Sequence, residues 1–127
     1  MDLKESLIRL NEKLKVVIPQ KGDLYLSRGI MIHRSDSPDS IKKRITRPSV
    51  IFVVSGCKWF KIYGQETVLE AGDFLLSNMD LPISCHVSKA SIEMPYIAIL
   101  LDLDKSMISE LLIEIGDRKV PANTSQN

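Results

Sequence analysis

The histidines and cysteines able to ligate a transition metal are few in this sequence, and their spacing is unsuited to that purpose. The 127 residues include two histidines, His33 and His86, and two cysteines, Cys57 and Cys85. A transition-metal site needs several convergent ligands. The histidines form no His-x-His pair, and neighbours in a strand such as Cys85 and His86 face opposite sides of a sheet. The sequence therefore predicts no metal site and no cofactor.

Covalent catalysis and phosphate binding also lack their usual signatures. No Gly-x-Ser-x-Gly motif is present to hold a serine nucleophile on a sharp turn. The six glycines stand singly rather than in a phosphate-binding loop. We therefore expect no catalytic residue and no enzymatic activity.

The densest basic cluster is Lys42-Lys43-Arg44, followed by Arg47. We interpret it as a solvated loop, with contact to an anion or a phosphate as the alternative. Lys and Arg total 17 against 16 Asp and Glu, which leaves a net charge of +1. Because free-standing nucleic-acid binders usually carry a basic excess, this chain by itself is predicted not to bind DNA.

The chain after Asp23 has the composition of short strands separated by turns. Runs rich in β-branched and aromatic residues are interrupted by Gly, Pro, Asn and Asp at intervals of about 8–12 residues. Ser55-Gly56 and Tyr63-Gly64-Gln65 are predicted to form hairpin turns. The predicted strands are Leu24–Ser27, Ile30–Arg34, Ser49–Ser55, Lys58–Tyr63, Glu66–Leu69, Asp73–Ser77, Ser84–Ser88 and Ile97–Leu103.

Amphipathic helices are predicted on both sides of the strands. Leucines recur at helical spacing from Asp2 to Leu14, as expected for a helix that either covers the core or pairs with a second chain. A second helix is predicted from Asp104, an N-cap, to Ile115, before Gly116. Its apolar face is predicted to form a homodimer interface, with the residues Met107, Ile108, Leu111, Leu112 and Ile115.

This order of elements predicts a single, mostly β domain. Strands without a βαβ rhythm favour a cupin-like antiparallel jelly-roll barrel, with an immunoglobulin-like sandwich as the alternative. We divide the chain into an N-terminal helix and connector (1–22), the barrel with its C-terminal helix (23–116) and a tail or linker (117–127). Because no apolar run could cross a membrane and no export signal begins the chain, a cytoplasmic location is expected.

Seven stretches in a fixed order carry a family resemblance. They are Ile32-His33-Arg34-Ser35-Asp36, Arg47-Pro48-Ser49 leading to Val53-Val54-Ser55-Gly56-Cys57-Lys58, Ala71-Gly72-Asp73-Phe74-Leu75-Leu76-Ser77, Met79-Asp80-Leu81-Pro82-Ile83, Met94-Pro95-Tyr96-Ile97-Ala98, Leu101-Asp102-Leu103-Asp104 and Glu110-Leu111-Leu112. Together they resemble the N-terminal domain of AraC-type bacterial transcriptional regulators. The resemblance implies a cupin-like barrel that senses a small-molecule effector, mediates dimerisation, or both.

The resemblance also sets expectations about what the chain lacks. Regulators of this family carry a pair of helix-turn-helix units after the barrel, and the sequence stops at Asn127. DNA contact is therefore expected only through a domain absent from this chain. A small cupin enzyme acting on a sugar or similar metabolite, and a stand-alone dimerisation module, are the alternatives.

Aromatic and histidine side chains are the candidates for contact with an effector. The predicted ligand-binding residues are His33, Trp59, Tyr63, Phe74, His86 and Tyr96. Strand alternation limits this set, because Trp59 and Tyr63 share one face and Phe60 and Ile62 the other. If Phe60 and Ile62 fill the barrel, Trp59 and Tyr63 point away from it.

Overall fold

The computed structural model describes residues 2–26, 29–104, 106, 109–110, 113–114 and 116. The elements are α1 (Leu3–Val17), β1 (Gly22–Leu26), β2 (Ile30–Ser35), β3 (Lys42–Thr46), β4 (Ser49–Ser55), β5 (Cys57–Ile62), β6 (Gln65–Leu69), β7 (Phe74–Ser77), β8 (Leu81–Lys89) and β9 (Tyr96–Asp102). The predicted mostly β class and the N-terminal helix are confirmed.

Helix α1 begins at a capped N-terminus and extends past its predicted end. The Asp2 carboxylate accepts a hydrogen bond from the Glu5 N–H at 2.8 Å, which satisfies one of the free donors of the first turn. The helix continues to Val17 rather than ending at Leu14, and Ile18 is its C-cap. The buried Arg34 donates to the Ile18 carbonyl at 3.0 Å and so ties the end of the helix to β2.

The strands pair as a long hairpin that has been rolled up. β2 pairs with β9, β3 with β8, β4 with β7 and β5 with β6, always antiparallel. The pairs β4–β9 and β5–β8 then join these hairpins into two sheets. This nested order is that of a jelly roll.

The two sheets have different sizes and different coverings. Sheet A has the strand order β1-β2-β9-β4-β7, and sheet B has the order β3-β8-β5-β6. One apolar cluster lies between the sheets and includes Val53, Phe60 and Ala98. A second cluster lies between sheet A and α1 and includes Leu14 and Ile97. Helix α1 therefore packs on the outer face of sheet A. This position agrees with the prediction that the helix covers the core.

Two local predictions are corrected by this arrangement. Lys42, Lys43 and Arg44 belong to strand β3, not to a loop, because they form a regular ladder with β8. Ser55-Gly56 is not a hairpin turn, since β4 and β5 belong to different sheets and Gly56 lies at the crossing between them. Tyr63 and Gly64 do form a hairpin turn between β5 and β6, both with positive φ.

The C-terminal segment is described only at scattered positions. Met107, Ile108, Leu111, Leu112 and Ile115, predicted to form a dimer interface, lie outside the described residues. The helix predicted from Asp104 to Ile115 and the tail 117–127 remain predictions for the same reason. Within the part of the chain that is described, no helix is long and apolar enough to span a membrane.

Candidate functional site

A cavity of about 320 Å³ lies between the two sheets. Its walls are the inward-facing residues of β2, β3, β4, β5, β8 and β9, which alternate with residues on the outer faces. The apolar part of the lining consists of Met31, Ile45, Ile51, Phe60, Ile83, Cys85, Val87, Tyr96 and Leu100. A cavity of this size is at the small end of the range for ligand sites.

Sheet B brings basic side chains to the inner face through its register. In the β3–β8 ladder Lys42 lies opposite Cys85, and Arg44 lies opposite Ile83. Because Cys85 and Ile83 are buried core residues, Lys42 and Arg44 face the same side of the sheet. Both line the cavity, so the basic cluster contributes two charges to it.

Lys58 on β5 is the deepest of the basic residues around the cavity. It shares the inner face with Phe60, two positions along the strand. Its ammonium lies 5.4 Å from the centre of the Phe60 ring and 5.7 Å from that of Tyr96, within the range of cation–π attraction. Burial lowers the pKa of Lys58, and the charges of Arg44 and Lys42 act in the same direction.

Asp39 anchors the chain that leads into β3. Its carboxylate accepts a hydrogen bond from the Val87 N–H at 2.7 Å and lies 3.1 Å from the Lys42 ammonium. Burial raises the pKa of Asp39, but the Val87 hydrogen bond and the nearby Lys42 and Lys58 charges outweigh it and leave that pKa below its usual value. The Asp39 carboxylate is therefore already hydrogen-bonded and ion-paired, and it holds the segment before β3 against β8.

Two further acid–base pairs lie at the rim. His33 Nδ1 and Asp23 Oδ1 are 2.5 Å apart, and Asp23 lies opposite His33 in the β1–β2 ladder. Arg47 and Asp102 approach to 3.9 Å, with both side chains exposed. All four residues line the cavity, so charged groups border it beside the apolar residues.

The structure brings two of the predicted ligand-binding residues together in the cavity. His33 and Tyr96 both line it, and their rings meet edge to face with centroids 5.9 Å apart. Tyr96 is 1% exposed, and burial raises the pKa of its phenol. His86 borders the cavity, but its ring packs on Trp59, 5.3 Å away.

The other predicted residues lie away from the cavity, for reasons of strand alternation. Phe60 and Ile62 do pack in the core between the sheets, so Trp59 is on the outer face, where its indole donates to Glu66 at 2.9 Å. Tyr63 is 73% exposed at the turn. Phe74 is 60% exposed and lies opposite Phe52 on the outer face of sheet A.

Lys58 and Arg44 are lining residues that were not predicted as ligand-binding residues. The signal for Lys58 was present, since it shares strand parity with Phe60 and Ile62. The signal for Arg44 was masked, because a run of three basic residues resembles a loop more than a strand. Of the described residues, no group of three or more His, Cys, Asp and Glu is placed to hold a metal ion.

A second, more open groove of about 560 Å³ lies along the outside of sheet B. It is bordered by Lys43, Ile45, Lys61, Tyr63 and Pro82, among others. The charged side chains of the groove are exposed, whereas Lys58 is partly buried. The cavity between the sheets is therefore the candidate site.

Comparison with protein families gives one match that covers most of the chain. Residues 27–127 match the family described as AraC-type transcriptional regulator N-terminus. No curated protein shows a significant match to the chain.

Solved structures with similar coordinates are distant in sequence. A cupin-2 domain containing protein from Shewanella frigidimarina has a TM-score of 0.49 and 13% identity, over 80% of this chain and 100% of that one. The EutQ protein of Clostridium difficile has a TM-score of 0.48 and 15% identity, over 65% and 67%. The CENP-C cupin domain of Drosophila melanogaster has a TM-score of 0.44 and 14% identity, over 61% and 62%. The chain thus spans about three fifths of that protein's length.

Proposed function

Because the chain belongs to the family of AraC-type transcriptional regulator N-termini, we propose that it is a regulatory domain whose cavity binds a small-molecule effector. The observation that carries the proposal is the cavity of about 320 Å³ between the sheets, which is lined by both apolar and charged side chains. Such a combination is typical of small-molecule sites. The role proposed is binding, not catalysis.

The position of the cavity suggests how occupancy could be transmitted. β9 contributes Tyr96 and Leu100 to the cavity, and its outer face packs under α1 through Ile97. Asp102 is the last residue of β9, and the C-terminal segment, residues 103–127, follows it. A ligand that binds one arrangement of β9 more tightly would shift the population of arrangements of that segment.

We further propose that the domain acts as a homodimer. The support is the apolar face of the predicted C-terminal helix, with leucines at Leu111 and Leu112. A double change of Leu111→Glu and Leu112→Glu is expected to convert the dimer to a monomer in analytical ultracentrifugation without loss of the strand signal in circular dichroism. A dimer that persists would contradict the assignment of that face.

The sensing proposal is tested by thermal unfolding of the 127-residue chain with four sets of compounds: neutral sugars, polyols, amides and small organic acids. At least one set is expected to raise the melting temperature in a concentration-dependent way. Leu100→Trp, which places a larger ring in the cavity, is expected to abolish that shift. Leu101→Trp, on the opposite face of β9, is the matched control and should retain it. The absence of any shift with all four sets would count against sensing and leave dimerisation as the role.

A further inference from the structure

Resting on the proposed ligand-binding function, we infer that the cavity takes an organic monocarboxylate with a compact apolar body, and that Lys58 and Arg44 bind its carboxylate. The inference goes beyond the presence of a cavity, since it names the chemical class of the ligand. It is carried by the charges that line the cavity and by which of them already have partners.

The acidic residues of the lining are all engaged. Asp23 pairs with His33, Asp39 with Lys42 and Asp102 with Arg47. Two cations of the same lining, Lys58 and Arg44, have no ion pair with any described residue. The lining therefore has four Lys and Arg side chains against three Asp side chains, an excess of one positive charge.

Lys58 is the more costly of the two cations to leave without a partner. Its ammonium has three donors, and its neighbours on the inner face are the rings of Phe60 and Tyr96. The Asp39 carboxylate acts on it electrostatically but forms its ion pair with Lys42. Aromatic faces attract a cation but accept no strong hydrogen bond. Lys58 is partly buried, and a charge that is partly removed from water is normally paired, because its desolvation is unfavourable. An anion in the cavity would supply both the acceptors and the opposite charge.

Arg44 adds a second and geometrically different donor. It is an exposed residue of β3, opposite Ile83; it lines both the cavity and the outer groove, and its positive charge acts on Lys58. A guanidinium presents a planar fork that matches the two oxygens of a carboxylate, whereas an ammonium acts as a point charge. A carboxylate between them would relieve the repulsion of the two cations.

The rest of the cavity defines the body of the ligand. Ile51, Val87 and Leu100, with the two rings, provide an apolar wall, which favours a hydrocarbon or aromatic body over a sugar. At about 30 Å³ for each water in the liquid, the volume corresponds to roughly ten water molecules. A ligand of on the order of ten non-hydrogen atoms fits that volume, as phenylacetate or hexanoate would.

The test is isothermal titration calorimetry of the whole chain at neutral pH with phenylacetate and hexanoate. Their amides, phenylacetamide and hexanamide, are the neutral probes of the same shape. We expect the carboxylates to bind at least tenfold more tightly than the amides. Lys58→Met, which keeps the apolar stem, should weaken carboxylate binding at least tenfold, and Arg44→Met should weaken it severalfold.

Two matched variants separate the cavity from general surface charge. Lys61→Met and Lys43→Met remove cations from the outer faces of the same strands, β5 and β3, and should leave the affinity unchanged. Circular dichroism and the melting temperature establish that each variant is folded. If Lys61→Met weakens binding as much as Lys58→Met does, the contact is with surface charge and the inference is wrong.

The remaining outcomes distinguish this inference from the proposed function. Neutral compounds that raise the melting temperature while the carboxylates do not bind would overturn the inference and leave the sensing function standing. Amides that bind as tightly as the acids would do the same. Inorganic phosphate that binds as tightly as phenylacetate would show that the apolar wall contributes nothing, which also contradicts the inference. If no compound of any class binds, both proposals fail.

Discussion

The two faces of sheet A border surroundings of different character. The outer face meets α1 through aliphatic side chains, with Ile97 0% exposed and Leu14 and Ile32 buried beside it. The inner face borders a cavity that contains Lys58 and Arg44. A single strand, β9, serves both, because its residues alternate between the two sides.

The difference is between a face that packs closely against a helix and a face that borders a cavity. Close packing of apolar side chains contributes stability in proportion to the area removed from water. A cavity lined by charges contributes little and adds desolvation cost. Both faces therefore contain packed core, since Val53, Tyr96 and Ala98 are buried on the inner face, but only the inner face also borders space for a ligand.

The largest effect is expected at Gly56, which joins β4 of sheet A to β5 of sheet B. Gly56 has a φ of +77°, and a Cβ there would lie 2.7 Å from Tyr96 Cα and 2.8 Å from the Lys89 carbonyl oxygen. We expect Gly56→Ala to lower the free energy of unfolding by about 2–6 kcal/mol, from positive φ and from displaced backbone. Urea denaturation measures this change.

Gly64 provides the control for that substitution. It has the same φ of +77°, but a Cβ there meets nothing within 4 Å. Gly64→Ala should therefore cost only about 1 kcal/mol, the conformational part of the effect. Equal losses at Gly56 and Gly64 would show that the close approach to β9 has no energetic weight.

The next largest effect compares the two faces of β9 directly. Ile97→Ala, under α1, is expected to cost about 2–5 kcal/mol, because it leaves a cavity in a packed interior. Leu100→Ala, on the cavity side, should cost less, since Leu100 is only partly buried and already borders open space. Chemical denaturation of both variants measures the difference. A loss at Leu100 as large as that at Ile97 would contradict the contrast between the faces.

A smaller effect, with a defined pH dependence, is expected at Lys58. Because burial lowers its pKa in the folded state, the unfolded chain binds more protons between that pKa and the ordinary lysine value of about 10.4. The stability contribution of Lys58 is therefore unfavourable at neutral pH and improves as the pH rises through this window. Lys58→Met should be more stable than the wild type at neutral pH, by about 1 kcal/mol.

The measurement is the stability difference between Lys58→Met and the wild type from pH 7 to about pH 10, the upper end of the lysine titration. The difference should shrink as the pH rises. Lys61→Met, from the exposed face of β5, should show no such trend. A difference at Lys58 that is constant with pH would mean that its ammonium is well solvated.

The smallest effect is expected at the rim. The Arg47–Asp102 pair spans 3.9 Å between exposed side chains, and such pairs contribute at most about 1 kcal/mol. Asp102→Asn should lower the free energy of unfolding by at most about 1 kcal/mol. Thermal unfolding measures this change. A large loss would place the rim among the stabilising regions and weaken the comparison between the two faces.

Much of the fold followed from local patterns in the sequence. The leucine spacing in α1 and the alternation in β4, β5 and β9 predicted elements close to those observed. Strand β3 was missed, because its first three residues are basic and exposed, so its pairing with β8 leaves no hydrophobic alternation to detect. The observed β8 also starts at Leu81, three residues before its predicted start, and passes through Pro82.

The candidate site was predictable in part. His33 and Tyr96 were expected to contact a ligand and do line the cavity. Strand alternation in β5 correctly predicted that Phe60 and Trp59 lie on opposite faces. The same alternation places Lys58 on the inner face with Phe60. The sequence of β7 alone does not show which face of sheet A Phe74 occupies. The two faces of that strand differ only in which other elements pack against them.

By itself, the sequence determined the mostly β class, the N-terminal helix, the turn at Tyr63-Gly64 and the alternation of Trp59 and Phe60 in β5, because these depend on residues close together in the chain. Only the tertiary structure decided that β4 and β5 enter different sheets, that Arg44 and Lys58 face one cavity, and that the acids around them are already paired. Those features depend on the register between strands far apart in sequence, and register is set by the packing of the whole barrel.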